Sequence, residues 1–294
     1  MRVVAVLVLA VLVAGACGAP GAPSPAGTIP VLGTENFYAD LLAQVGGSRV
    51  HATSVLNDPN ADPHAYEASP RAAAAVADAR LVIVNGLGYD DFMRKLLAAS
   101  ARPGRVVIDV QATLGLPSGA NPHVWYDPKT MPAVAEAAAA ALAKLDPAGA
   151  DGYQARKRAY LDALRPIDER IAALKATYAG SPVAFTEAVA RYQTDAIGLV
   201  VLTPDGFTKA IEQGIDPAPA DVGVERDLLT ARKVKALIYN SQVATPLTQE
   251  IRDLASRSSI PVVGYAETMP SGAKTFQDWQ LAQLGDLATA LGGR

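Results

Sequence analysis

Two of the chain's three histidines stand in matching settings, Asp62-Pro63-His64 and Asn121-Pro122-His123. Aromatic residues trail both, Tyr66 after the first and Trp125-Tyr126 after the second. Proline fixes its own φ and pushes the preceding residue toward extended geometry, so each imidazole is presented from a stiff loop. Neutral imidazole is the commonest nitrogen ligand of transition metals, and two held this way in a histidine-poor chain point to a metal site. The third, His51, opens a strand-like stretch without a sequence partner and reads as structural or exposed. In the second half, two carboxylates stand just past strand-like runs, Glu187 after residues 183–186 and Glu267 after residues 262–266. Two imidazoles and two carboxylates form a hard-to-borderline donor set, suited to Mn2+ or Zn2+ and less so to Cu(I). Each residue also has a plainer reading. A loop histidine after proline is commonly solvated, and a glutamate beyond a strand commonly sits at a helix N-terminus, favoured by the dipole.

Ligands this far apart in sequence must converge at the carboxyl ends of strands, as in open α/β sheets. The chain has the required alternation. Strand-like segments at 29–34, 49–56, 81–84 and 105–110 are interleaved with helical patterns at 37–45, 70–79 and 90–99. The second half repeats the habit, with strands at 183–186, 199–202, 234–240 and 261–265 and helices at 192–198 and 276–291. Short continuous Val/Ile/Leu runs between helices indicate parallel strands covered on both faces, and so an α/β fold class. Between the halves, Tyr153, Tyr160, Leu164, Ile167, Ile171, Leu174 and Tyr178 mark one face of a single long helix within residues 147–179. Pro166 should bend it. This arrangement divides the chain into an amino-terminal lobe at 29–146, the linking helix at 147–179 and a carboxy-terminal lobe at 180–294. One stiff helix between lobes predicts small lobe motions rather than wide hinge closure.

The first 17 residues read as an export signal: Met1-Arg2, an apolar run over 3–13, then Ala14-Gly15-Ala16 before the chain's single cysteine. The run is about half the ~20 residues that span a bilayer as a helix. Cys17 at the expected cleavage point resembles the lipidation site of a bacterial lipoprotein, with Ala14 where that motif usually carries leucine. Residues 18–28, rich in Ala, Pro, Gly and Ser, read as a flexible tether. With Cys17 used as an anchor no internal disulfide is possible, so the core alone must stabilise the exported body. The 294-residue length suits two ordinary domains. A formal net charge of −3 argues against nucleic acid or an anionic membrane surface as partner.

Several motifs together resemble the cluster A-I, zinc/manganese-type solute-binding proteins of ABC importers. Asp62-Pro63-His64-Ala65-Tyr66-Glu67 with Ser69-Pro70 is similar to that family's first-ligand loop, and residues 79–89 to the segment that follows. Asn121-Pro122-His123-Val124-Trp125-Tyr126-Asp127-Pro128 resembles the second-ligand loop. Phe185-Thr186-Glu187-Ala188, with Tyr192 and Gly198-Leu199, resembles the variant with Glu where others place His. Pro261-Val262-Val263 with Glu267-Thr268-Met269-Pro270, and Trp279 beyond, resembles the fourth-ligand segment. The likeness runs from about Ile29 to Leu291.

The resemblance implies two four-stranded lobes joined by one rigid helix, with Zn2+ or Mn2+ gripped between them by His64, His123, Glu187 and Glu267. It implies a lipid-anchored monomer on the outer face of the cytoplasmic membrane that hands the ion to an ABC permease and its ATPase. Two features depart from the pattern. The family's zinc specialists typically use a third histidine and often a His-rich acidic loop, and this chain has neither. The last ligand is commonly aspartate, so Glu267 is one methylene longer, with Asp205 or Asp221 as alternatives. Four protein ligands leave no position for an activated water, so no enzyme activity is expected. A secreted metallohydrolase would need three protein ligands, a bound water and a nearby base. A metal-stabilised adhesin or structural lipoprotein is the remaining alternative.

Overall fold

A computed structural model describes residues 27–59, 63 and 66–292. Cys17 and His64, and the signal segment, therefore lie outside the described residues. Strands β1 (Ile29–Glu35), β2 (Val50–Leu56), β3 (Leu81–Val84) and β4 (Val106–Asp109) form the first sheet, in the order β2-β1-β3-β4. Helices α1 (Asn36–Gly46), α2 (Pro70–Asp78), α3 (Phe92–Ala99), α4 (Val110–Leu114) and α5 (Thr130–Leu145) accompany it. Helix α6 (Ala150–Tyr178) leads to the second sheet of β5 (Pro182–Phe185), β6 (Val200–Val201), β7 (Leu237–Asn240) and β8 (Val262–Tyr265), ordered β6-β5-β7-β8. Its helices are α7 (Arg191–Ile197), α8 (Asp205–Glu212), α9 (Pro219–Thr230), α10 (Pro246–Arg257) and α11 (Phe276–Ala290).

Every strand pairing is parallel. The two sheets have the same order, so each has a switch point beside its first strand, between β1 and β3 and between β5 and β7. Such points open a crevice at the carboxyl ends of the strands. The sequence supports these elements locally. All four residues of β3 are buried, as a two-sided parallel strand requires. Ser69 caps α2 with Pro70 behind it, Thr245 forms a capping box on α10, and Thr275 caps α11. Gly33 is needed where α1 crosses β1, because a Cβ there would sit 2.3 Å from the Ala39 nitrogen.

Helix α6 has 29 residues, about 43 Å at 1.5 Å per residue. It buries Tyr153, Tyr160, Leu164, Ile167, Ile171 and Leu174, the face expected from the spacing. It runs on through Pro166, which is exposed; the Asp162 carbonyl that loses its helical donor also lies on the solvent side. Three boundaries differ from expectation, the first being β7, which begins at Leu237 rather than Val234. Helix α3 starts at Phe92 rather than Asp90, because the Asp90 carboxylate accepts from the Asn85 and Gly86 amides and closes the preceding turn. Strand β6 shrinks to two residues because Leu199 N turns back to the Thr194 carbonyl after left-handed Gly198, and Thr203 already takes the Phe185 amide.

One apolar cluster joins the sheets. Phe37 of α1 lies 4.8 Å from Trp125 and 6.0 Å from Trp279 of α11, and Tyr126 lies 5.8 Å from Trp279. Polar contacts follow the same seam: Asn36 and Met269 exchange two hydrogen bonds, and the Asp40 carboxylate accepts from Phe276 N. Among the described residues, no helix is long and apolar enough to cross a membrane.

Candidate metal centre

Three side chains converge where the two sheets' crevices meet. His123 comes from the loop between α4 and α5, Glu187 stands two residues past β5, and Glu267 two residues past β8. The His123 Nε2 atom is 3.6 Å from Glu187 Oε1 and 3.4 Å from Glu267 Oε2. One donor atom from each lies within 4.8 Å of the others, and all three residues are 0% exposed. Two ligands at zinc-type bond lengths of 2.0–2.2 Å on a tetrahedral ion are themselves about 3.4 Å apart. The nitrogen-to-oxygen separations therefore match a cation's coordination shell with little rearrangement.

The residues behind these groups fix how they point. Asn121 Nδ2 donates to the Ala188 carbonyl at 2.7 Å, which identifies Oδ1 as the acceptor. That oxygen receives the His123 backbone amide at 2.9 Å and lies 2.8 Å from His123 Nδ1. Nδ1 therefore carries the proton in the neutral ring, and the Nε2 lone pair faces the two carboxylates. This is the usual way an outer partner sets a ligating histidine's tautomer. On the other side, Asn240 at the end of β7 shares its amide between Glu187 Oε2 at 3.0 Å and Glu267 Oε1 at 2.5 Å. Gln242 Oε1 accepts from the Glu267 and Thr268 amides at 2.6 and 3.0 Å, holding the strand-end loop. The Tyr126 hydroxyl donates toward the Ala266 carbonyl at 2.7 Å, tying the His123 loop to the Glu267 loop.

The electrostatics suit a cation. Burial alone would lower the His123 pKa, but the hydrogen bond and charge of Glu267, then the charge of Glu187, outweigh it and raise the pKa. Tyr89, ring-to-ring 6.0 Å from His123, is pushed well up by burial and by the charges of Glu267 and Glu35. Burial, then Asp90, also raises the carboxyl of Glu35, at the end of β1, well above the usual range. One imidazole lone pair facing two buried carboxylates is a donor set that a divalent metal satisfies and an uncharged ligand does not.

A family model described as ZnuA, the periplasmic zinc-uptake complex component A, matches residues 31–290. The chain belongs to the ZnuA family. It is 30% identical over 173 residues to the manganese-binding lipoprotein MntA of Halalkalibacterium halodurans, covering 56% of this chain and 57% of that one. It is 27% identical over 145 residues to the zinc-binding protein TroA of Treponema pallidum, 47% of this chain and 46% of that one. The alignments span 57% and 63% of the first curated relatives' lengths, about three-fifths. The solved structure of TroA superposes with a TM-score of 0.76 at 21% identity, covering 91% of this chain and all of that one (100%). The solute-binding protein FpvC of Pseudomonas aeruginosa in complex with Mn2+ gives 0.73 at 21%, covering 90% and 98%. These structural likenesses establish the two-lobe fold with its long helix.

In this ZnuA-family chain, then, three of the four residues singled out from sequence come together, and His64 lies outside the described residues. Glu267, to which Asp205 and Asp221 were alternatives, is the one grouped with His123 and Glu187. The Asp205 side chain is 77% exposed beside Arg191, and Asp221 lies on α9 against Gly206. His51 pairs with Pro30 in the sheet, apart from the cluster. Sequence reasoning assigned no site role to Asn121, Asn240, Gln242, Tyr89 or Glu35. A signal existed for one of them: β7 ends in Asn240 as β3 is followed by Asn85, each at its sheet's switch strand.

Proposed function

We propose that the protein is an exported solute-binding component that captures Zn2+ or Mn2+ between its lobes and delivers it to the permease and ATPase of an ABC importer. One observation carries this reading: a buried imidazole from one lobe and two buried carboxylates from the other meet at coordination distances, with the imidazole tautomer set by Asn121. Names among the relatives support it, since MntA is described as manganese-binding and TroA as zinc-binding. His123, Glu187 and Glu267 act as ligands, and His64 closes the set as the fourth. Four protein ligands leave no position for an activated water, which favours a carrier over a hydrolase. The signal at 1–17, a lipid anchor on Cys17, the tether at 18–28, lobes at 29–146 and 180–294 and a linking helix at 147–179 complete the reading, as a monomer outside the cytoplasmic membrane.

Elemental analysis and calorimetric titration of the purified protein with Zn2+ and Mn2+ test it. His64→Ala, His123→Ala and Glu187→Ala should each weaken binding by more than the roughly 10–100-fold that an outer-shell partner is worth. Wild-type affinity in His123→Ala and Glu187→Ala together would rule out the site.

A further inference from the structure

Glu35 is the most conspicuous buried group that the four-ligand set leaves unused. It ends β1, the strand at the first sheet's switch point, and is 0% exposed. No other described residue donates a hydrogen bond to either of its carboxylate oxygens. Its polar neighbours are committed elsewhere. Asp90 spends its oxygens on the Asn85 and Gly86 amides, the Tyr38 hydroxyl donates to Asn85 Oδ1, and Thr34 Oγ1 donates to the Ile83 carbonyl. Asn36, next in the chain, exchanges two hydrogen bonds with Met269, two residues past Glu267. Burial and the negative charges of Asp90 and Glu267 raise the Glu35 carboxyl, while Glu35 acts in turn on Tyr89, which faces His123. A buried carboxylate to which no other described residue donates is a costly arrangement for a fold to keep. Glu35 stands outside the set of donor atoms that lie within 4.8 Å of one another, so it is a neighbour of that set and not a member.

We propose that Glu35 is a further oxygen donor to the captured cation, drawn into its shell as the ion binds, and that it biases the site toward Mn2+ over Zn2+. The inference rests on the metal-capture reading. Carboxylate and water oxygens suit Mn2+, whereas zinc takes four ligands in structural sites and gains little from a fifth. A third carboxylate therefore adds more to a manganese shell than to a zinc shell.

The test is competition titration of both metals into the full chain as wild type, Glu35→Gln and Glu187→Gln, with electron paramagnetic resonance of the bound Mn2+. Glu35→Gln should weaken Mn2+ at least tenfold, change Zn2+ less than threefold, and alter the Mn2+ zero-field splitting. Glu187→Gln should weaken both metals. Unchanged affinity and an unchanged Mn2+ spectrum in Glu35→Gln would overturn the proposal, as would an equal loss for both metals. Failure of the capture reading itself looks different: the wild type would bind neither metal. Glu35→Gln keeps the shape and removes a buried charge, so circular dichroism should show the fold retained.

Discussion

Replacing Asn121 by alanine should weaken metal binding without removing any ligand. Its Oδ1 accepts the His123 backbone amide at 2.9 Å and holds Nδ1 at 2.8 Å, so the substitution frees the imidazole to rotate or change tautomer. Each hydrogen bond is worth a net ~0.5–1.5 kcal/mol, so the pair amounts to about 1–3 kcal/mol. At 1.4 kcal/mol per decade that is about a 5- to 150-fold rise in Kd, which brackets the 10–100-fold usual for outer-shell partners. Asn121 also bridges the lobes through the Ala188 carbonyl, and its own carbonyl accepts from Tyr192. Two controls separate orientation from loop placement. Tyr192→Phe removes the second bridge but leaves Oδ1 alone, and should change Kd less than threefold. Asn121→Asp keeps the acceptor and should recover most of the affinity that Asn121→Ala loses. The assay is chelator-competition titration at fixed pH. Affinity within threefold of wild type in Asn121→Ala, or equal losses in Asn121→Ala and Tyr192→Phe, would refute the argument that this oxygen sets the imidazole.

Three further outcomes follow from the same geometry. Glu267→Gln removes one of two buried carboxylates sharing the Asn240 amide, so thermal denaturation should show the metal-free variant at least as stable as wild type while the stabilisation by added metal largely disappears. Only the unprotonated Nε2 binds metal, and the His123 pKa is raised because Glu267 and Glu187 outweigh the lowering effect of burial. Affinity should therefore begin to fall on acidification while still above the usual histidine value near 6.5, and a Kd flat between about pH 5 and 8 would contradict an imidazole ligand. Far from the site, burial pushes Glu225 on α9 up to about 7. The folded state then holds a proton that the unfolded chain releases above about 4.5, so this group's contribution falls as pH rises from ~4.5 to ~7. Glu225→Gln should remove that dependence and raise stability at pH 8 by up to about 3 kcal/mol, measured by urea denaturation, with little gain at pH 5.

The architecture was readable in the chain because its strands are strongly apolar and its connecting helix strongly periodic. Leu81–Val84 and the buried stripe from Tyr153 to Leu174 each carry one unmistakable period. Helix α5 was not read because its run of alanines has little contrast between faces, and its core contacts come from Val134, Ala138 and Leu142 packing in tertiary context. Helices α8, α9 and α10 carry little signal because they are rich in polar residues, and of the three only α10 has a side-chain cap, Thr245. At the site, the candidate ligands could be picked out one by one because His, Glu and their flanking turns are distinctive. Their supports could not. Asn121, Asn240 and Gln242 are ordinary amides whose role exists only when two strand ends from different parts of the chain meet. Glu35 carried no signal because nothing in the run Thr34-Glu35-Asn36 distinguishes a buried carboxylate from a solvated one.

The charge balance of the centre favours a doubly charged ion over a monovalent one. With His123 neutral, Glu187 and Glu267 bring two negative charges within 3.6 and 3.4 Å of one nitrogen lone pair, and the single Asn240 amide is divided between them. A divalent ion cancels both charges. A monovalent ion leaves one uncompensated, and water leaves both, in a setting where an unpaired buried charge costs several kcal/mol. Without the ion, Glu187 and Glu267 repel each other within the carboxy-terminal lobe, across the cleft from His123. The seam beside the centre does not depend on the ion, because Tyr126 with Ala266, Asn36 with Met269, and Phe37 with Trp279 make neutral contacts. Binding therefore acts on a cleft whose neighbouring seam is already packed. A body built this way admits a small local loosening around Glu187 and Glu267 more readily than a wide opening about α6.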